Sequence, residues 1–216
     1  MMGTPHRTSH ASFDETAKFE FYEFLKTERG HGHRFSTSSK AATYVAQDKL
    51  HSFLDRPGNL QAVVEGVCQR HFTRADLQAV KKRLRFLAIL VLIERGDLFT
   101  HCIKFAALVD IRLPLEAPPS FFSPETFRRF DEEQWAFCAY EFKNGPSDER
   151  ILKDTIFPIS RREVKGTGRT STAWLVDIHP WYCFCGSGED DEDTEVVSPS
   201  YITVLFSCLL LLLTSY

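Results

Sequence analysis

"TRADLQAVKKRLRFLAILVLIERG", Thr73 to Gly96, decides how the rest of this 216-residue chain is read. Thr73 offers a hydroxyl to the free backbone N–H groups of a helix start, and Asp76, three residues on, completes a capping box. Leu77, Val80, Leu84, Leu87 and Val91 keep a helical period. Phe86, Ile89, Leu90, Leu92 and Ile93 spread the apolar surface beyond one stripe, as in a helix at the centre of its domain. The pattern predicts one continuous helix, ended by Gly96, because glycine tolerates the left-handed conformation that follows a helix. Its apolar run is too short to span a bilayer.

Working outward, Ser12 to Glu28 carries Phe13, Phe19, Phe21, Tyr22 and Leu25 at helical intervals, and the polar residues 1–12 before it are expected to be disordered. "RGHGHRFSTSS" reads as a break, because it combines two glycines with a run of serines. A helix is then predicted over 39–54, and another over Leu60 to Phe72. Downstream, Asp97 can cap a helix from Leu98 to Val109. Ser123 followed by Pro124 opens a helix that continues through Phe127, Phe130, Gln134, Trp135 and Cys138. Residues 13–155 thus read as one helical regulatory or interaction domain.

Composition narrows the function classes. Hydrophobic residues make up 43% and charged residues 25%, with 19 phenylalanines, enough for a packed core. The net charge is -3, but Glu189 to Glu195 ("EDDEDTE") holds six acidic residues, so the remainder carries about +3. No basic stripe interleaved with aromatics argues for nucleic acid. Cys68, Cys102 and Cys138 fall in apolar helical patterns and read as small hydrophobes. The start of the chain lacks the apolar run of a signal peptide, so a reducing, cytoplasmic setting is expected.

From Ile156 the pattern changes to strand-like alternation around "VKGTGRTSTAWLVDIHP", Val164 to Pro180. Gly166 and Gly168 suit either a plain hairpin turn or a phosphate-cradling loop. His179, Cys183 and Cys185 fit a zinc site poorly, since one C-x-C beside a single histidine lacks the usual spacing and ligand number. "HSFLD" (His51 to Asp55) reads as a helix face, and Asp131, Glu132 and Glu133 point to different sides of a helix. Neither makes a catalytic constellation. Residues 201–216, "YITVLFSCLLLLLTSY", are uncharged and follow the acidic run. They read as a short membrane tail, as a strand or helix packed on the body, or as translated non-coding sequence.

The stretches "RLRFLAILVLIERGDLFTHCIKFAALVDIRLPL", "FRRFDEEQWAFCAYEF", "IFPI" and "REVKGTGRTSTAWLVDIHP" together resemble the amino-terminal part of fungal serine/threonine protein kinase-like proteins. The resemblance covers roughly residues 40–180. It implies that Ile156 to Pro180 is the first hairpin of a nucleotide-binding lobe and that Gly166 and Gly168 are its glycine-loop positions. Ser171 and Ala173 replace the third glycine and the valine of that loop. No lysine follows Lys165, and the catalytic and metal-binding motifs of such kinases are missing. The expectation is a mainly α chain with four parts: disordered residues 1–12, a helical bundle-like domain over 13–155, an incomplete β-hairpin over 156–180, and a disordered tail, acidic then hydrophobic, over 181–216. Its expected role is non-catalytic and truncated, without cofactor or metal, with a protein partner. The alternative is a small tail-anchored membrane protein.

Overall fold

The predicted long helix is interrupted. In a computed structural model, which describes residues 15–34, 41–143, 151–152, 154–167, 172–184 and 202–206, Thr73 to Gly96 forms two helices. In chain order the elements are α1 (Glu15–Thr27), β1 (Arg29–Arg34), β2 (Ala41–Val45), α2 (Gln47–Leu54), α3 (Asn59–Cys68), α4 (Arg74–Lys81), α5 (Leu84–Leu92), α6 (Phe99–Lys104) and α7 (Pro124–Gln134). Then come β3 (Phe142–Lys143), β4 (Ile156–Phe157), β5 (Ile159–Thr167), β6 (Thr172–Ile178), β7 (Cys183–Phe184) and β8 (Ile202–Phe206). The chain is mainly α, with small sheets.

The chain divides into two compact units, and the division is not the one expected. The first holds residues up to Thr27 and Leu50–Phe130; the second holds Glu28–Lys49 and Asp131 onward. Residues 28–49, read from the sequence as part of the helical domain, group with the strands of the second unit.

In the first unit the capping box forms as read. Thr73 Oγ1 accepts from the Asp76 N–H at 3.2 Å, and Asp76 Oδ2 accepts from the Thr73 N–H at 3.0 Å. It caps α4, which stops at Lys81. Interrupting a helix leaves unpaired carbonyls on one side and unpaired N–H groups on the other. Two charges from this unit satisfy several of them. Arg83 is buried and donates to the Ala79, Cys102 and Phe105 carbonyls at 2.8, 3.2 and 3.1 Å. Asp110 accepts from the Arg85 and Phe86 N–H groups at 2.9 and 3.2 Å, capping α5 from 25 residues away, and its own N–H donates to the Lys82 carbonyl. Burial pushes the Asp110 carboxyl up, and these backbone N–H groups and Arg85 oppose the shift.

α5 is apolar on nearly every side because it is surrounded: Phe86, Leu87, Ala88, Ile89 and Leu90 are all fully buried. Phe86 packs on Phe130, and Phe122 meets the same ring edge-on. Phe21 of α1 packs against Phe53 of α2. α7 starts as read, with Ser123 Oγ accepting from the Thr126 N–H at 3.1 Å. The helix expected over Leu98 to Val109 is shorter, since α6 ends at Lys104.

In the second unit, β1 lies between β2 and β4, antiparallel to both. The predicted break at "RGHGHR" is therefore a central strand, and the helix predicted over 39–54 is β2 followed by α2. Glycines normally weaken a strand. Here they make room for a ring. A Cβ on Gly30 would stand 2.6 Å from Tyr44 Cζ, and one on Gly32 would stand 2.5 Å from the Phe157 carbonyl oxygen. Tyr44 is buried with Ala42, Ala46, Ala139, Ile156 and Tyr182, and Tyr182 donates to the Val45 carbonyl. Burial, helped by Asp48, pushes the Tyr44 hydroxyl up to about 12. Gly32→Val is expected to lower stability by about 2 kcal/mol or more, since the added side chain meets backbone rather than a movable side chain. Urea unfolding monitored by tyrosine fluorescence measures this, and an unchanged midpoint would remove Gly32 from the centre of the sheet.

The hairpin expected over 156–180 is present as β5 and β6, paired antiparallel. The tail is not structureless throughout. Cys183–Phe184 pairs parallel with β3, and Ile202–Phe206 adds a third strand beside β6. Residues 1–12, the acidic run 189–195 and residues 207–216 lie outside the described residues.

Candidate functional site

The glycine hairpin is the first place to look for chemistry. Gly166 pairs with Ala173 and Thr167 with Thr172, and a register irregularity falls between Val164 and Gly166. Gly168 and Ser171 lie outside the described residues, so Gly166 alone represents the two glycines. Gly166 is exposed, and a Cβ built on it would meet nothing within 4 Å. Neither crowding nor a left-handed backbone demands glycine there. The backbone is open to approach, as a phosphate loop requires. The strand beside β6 is Ile202–Phe206, whose five residues include no lysine.

His179 packs edge-on against Tyr44 and Tyr182. Cys185 lies outside the described residues, and no group of three or more metal-ligating side chains occurs among those described. Glu133 pairs with Arg29 at 3.2 Å, while Asp131 accepts from Gln134 at 2.7 Å. Asp131 and Glu133 therefore serve different partners.

The structure adds a site that the sequence did not single out. A cleft of about 590 Å³ opens in the first unit. Glu15, Lys18, Phe19 and Tyr22 form one wall, at the i, i+3, i+4, i+7 spacing that places them on one face of α1. Val67, Val91, Glu94, Gly96 and Asp97 form the other. Phe19 is 63% exposed, whereas Phe21, Phe53, Phe86, Phe99 and Phe130 of the same unit are buried.

The far wall follows from the way α5 ends. The Arg95 N–H donates to the Leu90 carbonyl at 2.8 Å, and the Glu94 N–H donates to the Val91 carbonyl at 3.0 Å. This is a Schellman motif, whose left-handed position is usually glycine. Glu94 occupies it, at φ 59°. The expected stop at Gly96 is therefore two residues late. Gly96 serves packing instead, because a Cβ there would collide with Val67.

The cleft's acids differ in how far they are neutralised. Glu15 meets Lys18 at 3.4 Å and accepts from Gln69 at 2.6 Å. Asp97 is held by Arg95 through two bonds of 3.0 Å, which keep its carboxyl below the usual range against partial burial. Glu94 has no ion-pair partner among the described residues. The volume lies in the range that accommodates a few side chains or a small ligand. No helix among the described residues is long and apolar enough to cross a membrane. No protein-family model matches the chain, and no curated protein or solved structure is significantly similar to it.

Proposed function

We propose that the chain is a non-catalytic, protein-kinase-like cytoplasmic protein whose helical unit serves protein interaction or regulation. One observation carries the non-catalytic part. The strand beside the glycine hairpin, Ile202–Phe206, stands where a nucleotide-binding lobe would place its phosphate-holding lysine, and it has none. Without that third-strand lysine, a glycine-bearing hairpin gives little hold on the α- and β-phosphates. The strand pairing of Ile202–Phe206 weighs against the tail-anchored alternative, which would need those residues in a spanning helix.

Calorimetric titration of the full chain with MgATP is expected to give no saturable heat up to millimolar nucleotide. Micromolar binding that disappears in Gly166→Val would overturn this reading and assign a nucleotide to the hairpin.

A further inference from the structure

We propose that the cleft between α1 and the end of α5 is the docking site for a segment of another protein that carries an arginine or lysine beside a large apolar side chain. The inference rests on the interaction role proposed above and names its surface and partner chemistry. The walls supply the apolar half of the match. Phe19 stands exposed on α1, with Val67 and Val91 opposite. Exposed aromatic rings that flank a concavity are favoured anchors for a partner side chain.

Charge selects the occupant. Three carboxylates line the cleft; Lys18 meets Glu15 and Arg95 holds Asp97, which leaves one excess negative charge, at Glu94. That balance disfavours phosphate-bearing ligands. It attracts a cation, and Glu94 is the carboxylate left to receive it.

Glu94 also makes the proposal testable without loss of fold. Its left-handed backbone is one that glycine adopts without strain. Glu94→Gly should therefore keep or raise the melting temperature while removing the charge. Asparagine, which also tolerates this conformation, removes the charge but keeps a polar side chain.

The experiment uses the full-length chain and a fluorescein-labelled peptide of sequence Arg-Phe-Leu-Arg, read by fluorescence anisotropy, with Glu-Phe-Leu-Glu as the charge-reversed control. Saturable binding of the cationic peptide alone is expected. Phe19→Ser should weaken it about tenfold, and Glu94→Gly and Glu94→Asn about threefold to fivefold each. Equal binding of both peptides, or of neither, would overturn the proposal, as would Glu94 variants that bind like the parent. Sedimentation showing a dimer that Phe19→Ser dissociates would overturn it in favour of a second copy as occupant. MgATP binding at the hairpin would defeat only the non-catalytic reading and would leave these peptide results standing.

Discussion

Leu87→Asp abolishes the cooperative thermal unfolding of the first unit. Leu87 sits in the middle of α5 with no exposed surface, among Phe86, Ala88, Ile89 and Leu90, which are equally enclosed. A carboxylate there loses its hydration, and Arg83, the buried cation one turn earlier, is already engaged by three carbonyls. The substitution also gives up the transfer energy of the leucine. The combined cost is on the order of several kcal/mol, comparable with the whole stability of an ordinary domain. Circular dichroism at 222 nm over a temperature ramp should show a shallow, non-cooperative decline in place of a transition. A variant that melts within a degree or two of the parent would mean that α5 is not the centre of the core.

Arg83→Met is expected to cost about 3 kcal/mol, a fall of about 10 °C in melting temperature for a chain of this size. A buried arginine with no carboxylate partner among the described residues is an unfavourable residue in isolation, and methionine restores the lost aliphatic bulk. The change would be mild if desolvation dominated. The hydrogen bonds argue otherwise. The guanidinium serves three carbonyls, from Ala79 in α4, Cys102 in α6 and Phe105 just beyond it. Methionine leaves all three without this donor. Arg83→Lys should recover only part of the loss, because a single ammonium cannot reproduce the planar fork. A drop below about 1 kcal/mol in either variant would show that these carbonyls find other partners.

The same pair of charges explains where sequence reading stopped. Local chemistry was legible wherever it was self-contained. The Thr73–Asp76 box, the Ser123 cap before Pro124, the amphipathic α1 and the β5–β6 hairpin all form close to the residues that signalled them. The interruption at Lys82–Arg83 has no local signal, since leucine and arginine favour helix on both sides. It is stabilised by Asp110 and by the carbonyls of α6, far along the chain. The glycine-bearing strand β1 was hidden for a related reason. Gly30 and Gly32 look like breakers until the Tyr44 ring and the Phe157 carbonyl lie against them.

The cleft was half legible. Phe19 and Tyr22 stood out as apolar positions of α1, and their helix was correctly placed. Their exposure depends on what the opposite wall leaves uncovered, and that wall is set by Glu94 taking a conformation more typical of glycine. Propensity rules point to Gly96 instead, because they rank residue types and carry no information on which carbonyls the turn must reach.

The place of β1 in its sheet also has a consequence for biosynthesis. The ion pair between Arg34 and Asp154, beside the β1–β4 pairing, joins residues 120 positions apart. At a ribosomal rate of about 5–20 residues per second, β1 and β2 leave the exit tunnel on the order of ten seconds before β4. Throughout that interval the second edge of β1 has no partner from its own chain, while the helices of the first unit are being completed. An unpaired strand edge of this kind is a template for pairing with another chain until its own partner arrives. Slower translation between α2 and β4 would lengthen that exposure without altering a single contact in the finished protein.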